Sequence, residues 1–224
     1  MSDYSTAAFF RAEGALVDRG ALAVSAYFAS NGKGFRERAL RLGALALAAP
    51  VMGVVGQSDR NLANRAAYLA CRRMGEDRVM ELAEEYWEDV LSRRVLDRGR
   101  ELVQDARRAG HRIVVVSEAI EPVIVPLAED LRADELVCNR LEFIEGEATG
   151  KLLEPVVGGH EGGRWVKEYA ERNRIDLSRS LAYGAHGPDL LMLAAVGNPC
   201  AVNPDFTLRG AARDADWPVV EYRA

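Results

Sequence analysis

Cysteine is scarce in this chain: Cys71, Cys138 and Cys200 are far apart and odd in number. No pair has C-x-x-C spacing, and no His/Cys group has the spacing of metal ligands. That excludes a zinc module and a disulfide framework, and leaves reduced core thiols in a cytoplasmic protein as the expectation. Net positive charge is lacking too. A formal charge of −5 leaves no basic excess to release counterions from a phosphate backbone. No Lys/Arg block restores one locally, so nucleic acid is not an expected partner. The first twenty residues have no charged segment followed by an apolar one, so no secretion signal is expected. A long apolar run is missing as well. Gly43 to Gly56 is apolar but contains Pro50 and is shorter than the roughly 20 residues a membrane span needs. It reads as buried helix. Internal repeats and low-complexity linkers are absent.

What remains is ordinary globular material. With 224 residues, 49% hydrophobic and 28% charged, the chain can bury a substantial core as one domain or as a domain with an insert. Tyr4 to Phe10 reads as strand, with a turn at Gly14. From about Gly20 to Arg94 the pattern is helical, clearest in Asp59–Cys71 and Arg78–Leu91, where apolar residues recur at three- and four-residue spacing. A helix from about Arg98 to Arg108 stops at Gly110. The period then changes. His111–Ser117 is a short β-branched run after a helix stop, as in a buried parallel strand. Val123–Leu131 is helical, and Leu136–Leu153 alternates around Glu145-Gly146-Glu147, a hairpin signal. Arg164–Asn173 is helix, Ser180–Gly184 strand, Asp189–Val196 helix, Pro199–Asn203 strand and Val219–Tyr222 a last strand. The alternation predicts an α/β fold, a three-layer Rossmann-like parallel sheet with an inserted all-helical cap. The core takes residues 1–19 and 95–224, and the cap residues 20–94.

In such sheets ligands bind beyond the carboxyl ends of the strands. Four places qualify: Phe10-Arg11, Val116-Ser117, the loop before Arg164, and Gly184-Ala185. The first opens Arg11-Ala12-Glu13-Gly14-Ala15-Leu16-Val17. The second closes Ala109-Gly110-His111-Arg112-Ile113-Val114-Val115-Val116-Ser117. The last leads into Gly187-Pro188-Asp189-Leu190-Leu191-Met192-Leu193 and Val196–Pro204. In order and register these pieces resemble the four motifs of the haloacid dehalogenase (HAD) superfamily, in its phosphoserine-phosphatase-like subfamily IB with a helical C1 cap. The likeness runs nearly end to end. It implies the HAD fold and a phosphatase frame built on Asp-x-Asp-Gly-Thr, with the first aspartate as nucleophile and the second as general acid/base.

This chain departs from that frame where the chemistry sits. Arg11 stands at the nucleophile position, Glu13 at the acid/base and Ala15 at the threonine. Ser117 keeps the hydroxyl that holds a phosphate oxygen in relatives, although a serine ending a strand also caps a following helix. The third-motif lysine falls on Gly162, with Arg164 or Lys167 as substitutes if the loop shifts. Gly158–Gly163 leads into a helix, where N–H groups bind anions or are simply solvated. The first acidic position of the fourth motif is Ala185, while Asp189 survives as a metal ligand or a helix cap. His186 lies in the same loop as a solvated histidine or as a group for a different reaction.

The charges then decide. Mg²⁺ requires near-octahedral oxygen ligands, one or two of them carboxylates, and here a guanidinium replaces one ligand. Arg11 is expected to pair with Asp189 or Glu13 as an internal counter-charge, because its planar fork grips carboxylates. No catalytic residue and no cofactor are expected. Asp189 is the surviving metal candidate, and magnesium enters only if Asp189 and Glu13 still bind it. The expected role is that of a pseudophosphatase with a binding or regulatory function, touching a protein partner or a small phosphorylated ligand through Arg11, Ser117 and Asp189. The apolar segment Leu40–Val55 is a candidate partner surface, with packing inside the cap as its bland alternative. An enzyme of altered chemistry, or a residual phosphomonoester hydrolase, is the alternative function. Oligomeric state is not legible.

Overall fold

The computed structural model describes residues 5–31, 34–35, 38–43, 45–46, 60–158 and 161–222. Tyr4, Asp59, most of the 43–56 run and residues 159–160 lie outside the described residues. The fold is organised by β1 (Ala7–Arg11) and β2 (Arg112–Ile120). Their nearly unbroken apolar runs suit strands covered on both faces, and they pair in parallel with Ala7 opposite Arg112 and Arg11 opposite Val116. With β3 (Glu135–Asn139), β6 (Leu181–Gly184), β7 (Asn198–Val202) and β8 (Val219–Val220) they form one parallel sheet, ordered β3-β2-β1-β6-β7-β8.

Alternation along the strands sorts the core into two faces. Ala8, Phe10, Ile113 and Val115 pack with α4 (Asp97–Arg108) and α5 (Glu121–Asp130). Ala7, Phe9, Val114 and Val116 pack with α6 (Glu161–Asn173), α7 (Leu190–Leu193) and α8 (Phe206–Asp214). Between β1 and β2 the chain forms α1 (Ala21–Ser30), helical turns at 38–43 and 45–46, α2 (Arg60–Tyr68) and α3 (Glu76–Tyr86). Tyr68, Leu82 and Tyr86 from these helices enter the same apolar cluster as Phe10 and Val115.

The hairpin is β4 (Leu141–Ile144) with β5 (Glu147–Leu152), turned by Glu145 and Gly146, whose φ values of 51° and 77° match the mirror-image turns that hairpins favour. It also clasps the helical segment. Arg73 N–H donates to the Ala148 carbonyl, Ala148 N–H to that of Met74, and Glu76 N–H to that of Gly146.

Several boundaries differ from the sequence reading. β1 runs through Arg11, because the arginine finds buried partners. β2 continues past Ser117 to Ile120, carrying Glu118 inward. The alternating stretch 136–153 divides into β3 of the main sheet and a separate hairpin. The helix read over 78–91 ends at Tyr86 and closes with a wide turn at Trp87–Leu91. Helix α6 begins before Arg164 and takes Gly162 and Gly163 into its first turn. A Cβ on Gly163 would lie 2.6 Å from the Leu191 carbonyl oxygen, so close packing of α6 on α7 explains that glycine. The helix read over 189–196 is a short 3₁₀ turn, Gly187–Asp189, followed by the four-residue α7.

Candidate functional site

The carboxyl ends of β1, β2 and β6 converge on one buried charge cluster. Gly14 makes this convergence geometrically feasible: its φ is +84°, and a Cβ there would lie 2.4 Å from the Ala185 Cβ. Arg11 Nε lies 3.2 Å from Glu13 Oε2 and 3.4 Å from Asp189 Oδ1. Its Nη2 contacts Glu118 Oε1. From outside the sheet, Arg60 Nε at the start of α2 donates to Glu118 Oε2 at 2.7 Å. Arg11, Glu13, Glu118 and Asp189 are each at most 4% exposed.

Polar groups around the carboxylates complete their hydrogen bonding. Glu13 Oε1 accepts from Ser117 Oγ at 2.7 Å and from the Glu118 N–H at 3.0 Å, while Ser117 Oγ accepts the Ala119 N–H at 3.0 Å. Asp189 Oδ2 accepts the N–H groups of Ala185 and His186, both at 2.9 Å. Asn139 Nδ2 donates to the Glu118 carbonyl at 2.7 Å and its Oδ1 accepts the Val157 N–H at 2.7 Å. Tyr68 Oη accepts the Ile120 N–H at 3.2 Å, which fixes α2 against the end of β2.

Two guanidiniums thus face three carboxylates, and the surplus is negative. Burial opposes the charge on Arg11, but the fields of Glu118, Asp189 and Glu13 outweigh it, and its pKa is raised. Burial also opposes the charge on Glu118. There Arg11 and Arg60 do not fully offset it, with Glu13 adding repulsion, so the Glu118 pKa is raised as well. Three carboxylate neighbours thus stabilise the buried cation, while Glu118 is left short of compensation.

The structure brings Arg11, Glu13, Ser117, Ala185 and Asp189 together as their order in the sequence suggested. Arg11 lies within ion-pair distance of both Glu13 and Asp189. Ser117 caps no helix, since α5 starts at Glu121. Gly162 sits in the first turn of α6, with its nearest neighbour to a Cβ, the Met192 Cβ, at 3.5 Å. It lines an apolar hollow with Val116, Val137, Val157 and Trp165. Arg164 and Lys167 are substitutes for the third-motif lysine only if the loop shifts. Both are exposed, and Arg164 Nε lies 3.6 Å from Glu168 one turn along α6. The helix starts early and carries them on its outer side. The second cation is Arg60, which sequence reasoning missed along with Glu118, Asn139 and Tyr68. Glu118 carried one signal, a carboxylate directly after Ser117 at the end of an apolar run. His186 is half-buried, with Nδ1 4.0 Å from Asp189 Oδ2. Leu40 and Leu42 are exposed and Leu45 is buried, while residues 47–55 of that candidate surface lie outside the described residues.

The donor set does not fit Mg²⁺. Both oxygens of Asp189 already face N–H groups or Arg11, Glu13 Oε1 holds two hydrogen bonds, and the Arg11 guanidinium stands among the carboxylates. A divalent cation there would meet a fixed positive charge instead of an open set of oxygens. Among the described residues no group of three or more His, Cys, Asp or Glu side chains is placed to hold a metal ion.

A parallel sheet wrapped by helices, with its polar residues gathered at the strand tips, defines an α/β protein of the Rossmann-like class. Within that class the chain belongs to the haloacid dehalogenase-like hydrolases, whose family model matches residues 8–194. It is 32% identical over 173 residues to the inhibition of morphological differentiation protein of Streptomyces azureus, covering 75% of this chain and 62% of that protein. It is 27% identical over 157 residues to phosphoserine phosphatase SerB1 of Mycobacterium tuberculosis, covering 70% of this chain and 50% of that protein. The match therefore spans from half to just under two thirds of these relatives' length. Among solved structures, a protein of unknown function from Bordetella pertussis Tohama I superposes with a TM-score of 0.81 at 19% identity, over 97% of this chain and 98% of that one. A phospho-aspartyl intermediate analogue of phosphoserine phosphatase gives a TM-score of 0.72 at 17% identity, over 99% and 95%. These two likenesses are of fold.

Proposed function

We propose that this chain is a haloacid dehalogenase-like pseudophosphatase. On this reading, residues 20–94 form its cap, and it serves a binding or regulatory role instead of turning over a phosphate ester. One observation carries the reading: the buried Arg11 guanidinium, ion-paired with Glu13 and Asp189, stands at the tip of β1, where the resemblance puts the nucleophilic carboxylate. A guanidinium stays protonated and has no electron pair to offer phosphorus. Losing the covalent nucleophile of a catalytic unit typically costs on the order of 10⁴ to 10⁶ in turnover. Glu13 alone, already bound by Ser117 and the Glu118 N–H, lacks a partner that could complete acid/base chemistry on an ester. Arg11 supplies internally the positive charge that a metal would otherwise bring.

The test is a panel of phosphomonoesters assayed with and without Mg²⁺. It uses the native chain and a variant combining Arg11→Asp, Gly162→Lys and Ala185→Asp. The native chain should show no turnover above background under either condition, and the variant some recovery that depends on Mg²⁺. Magnesium-dependent turnover by the native chain would overturn the proposal.

A further inference from the structure

The charge of this chain is unevenly placed. Residues 31–73 hold eight Lys or Arg and two Asp or Glu, a local charge of +6 in a chain whose total is −5. Arg60 and Arg65 are turned to Glu118 and Glu154, and three of the others meet in space. Arg41, Arg72 and Arg73 line one cleft together with Leu40, Leu45 and Leu69. Arg41 donates to the carbonyls of Ala70 and Arg72, at 3.0 and 3.3 Å, and so ties the turn after α2 to the helical turns at 38–43.

This layer buries Phe28 and Tyr68 in the main core. A smaller cluster holds Ala29, Leu45 and Ala67 with Ala26, Ala63, Ala66 and Ala70 packed against it. Other leucines of the layer face solvent: Leu40 is 75% exposed, Leu69 56% and Leu42 40%. Phe35, just before, is 87% exposed. These exposed leucines are not accounted for by the layer's own core. Leucine beside arginine on one face matches a bilayer interface, where apolar side chains enter the acyl boundary and cations meet lipid phosphates. A nucleic acid surface would answer the charge and leave the leucines unexplained. Among the described residues no helix is long and apolar enough to cross a membrane, so the contact would lie in the interface plane.

We propose that the face formed by Leu40, Leu69, Arg41, Arg72 and Arg73 docks this protein on an anionic phospholipid surface. The rest of the chain carries a charge of −11, from the two totals. This inference does not depend on whether the Arg11 cluster is catalytically silent.

The experiment is co-sedimentation of the full chain with vesicles of pure phosphatidylcholine and of phosphatidylcholine with 30% phosphatidylglycerol. Arg72→Glu/Arg73→Glu and Leu40→Ser/Leu69→Ser are run beside the native chain, all checked for native-like thermal unfolding. Binding is expected on anionic vesicles only, and should weaken as salt is raised. Losing two surface cations should weaken it at least about thirty-fold, at about 1 kcal/mol for each basic residue. The leucine pair should weaken it without changing the salt dependence. Three outcomes would overturn the proposal: no binding to anionic vesicles at low salt, equal binding to neutral ones, or duplex DNA competing the protein off at lower concentration than lipid. Should a leucine or arginine pair fail to fold, Arg73→Gln and Leu69→Ser alone give the same comparison at smaller effect.

Discussion

Arginine is used in two ways in this chain. Arg11 and Arg60 converge on Glu13, Glu118 and Asp189 beneath the strand ends, and Arg11 is almost wholly shut off from water. Arg72 and Arg73 stand in solvent beside exposed leucines. In the first setting each charge depends on a named partner, because stranding an ion in low dielectric costs several kcal/mol. In the second, water screens every charge, and the residues act only as a collective field. Removing one buried arginine should therefore damage the fold, whereas reversing two exposed ones should alter only what the surface attracts.

The largest effect should come from Arg11→Met, which leaves three buried carboxylates facing Arg60 alone. The expected loss is about 3–5 kcal/mol, or a fall in Tm of roughly 10 °C for a chain of this size. Calorimetry showing a drop of only a degree or two would remove the contrast between the two settings.

An intermediate effect, of distinctive sign, is expected at Glu118. Its pKa is raised in the native state, so the native state holds this proton more tightly than the unfolded chain. The stability contributed by the protonated carboxyl is full below the ordinary carboxylate range and is lost as pH rises through the native value. Gln copies the protonated form and leaves two guanidiniums against two carboxylates. Glu118→Gln should therefore cost no more than about 1 kcal/mol near neutral pH. Its Tm relative to the native chain should be more favourable at pH 8 than at pH 4.5. A cost that grows with pH would show that Glu118 is better compensated than its burial implies.

The smallest effect belongs to the exposed face. Arg72→Glu/Arg73→Glu should leave Tm within about 2 °C of native, since surface substitutions are typically worth under about 0.5 kcal/mol each. A larger fall would mean that these arginines hold the helical layer together.

The two settings also differ in how much the sequence disclosed. β1 and β2 were legible because runs such as Ala7-Ala8-Phe9-Phe10 and Ile113-Val114-Val115-Val116 need cover on both faces. Arg11, Glu13, Ser117 and Asp189 were legible as one constellation because each follows a strand end. Arg60 was not. It reaches Glu118 across 58 positions of sequence, and nothing in the pattern around Arg60 marks that distance as short in space. The start of α6 was misplaced because glycines at 162 and 163 read as loop, whereas the approach of Leu191 selects a glycine inside a helix. Of the exposed face, the segment Leu40–Val55 was legible as a candidate surface, while Leu69, Arg72 and Arg73 were not. Spacing of apolar residues marks a helix without telling which of them, the alanines or the leucines, face inward.

The clasp between the hairpin and residues 73–76 has a mechanical consequence. The two linkers joining the helical segment to the sheet pair with each other, Val17 bridging to Val95 and Asp18 N–H donating to the Arg94 carbonyl. Between these linkers and the far margin, Tyr68, Leu82 and Tyr86 pack into the main core and Arg60 holds Glu118. The far margin is stitched by three main-chain hydrogen bonds to Gly146 and Ala148, so the segment is fastened on both sides. Parting that margin breaks those bonds, and exchange of the Ala148 amide proton is the clock by which such openings can be timed.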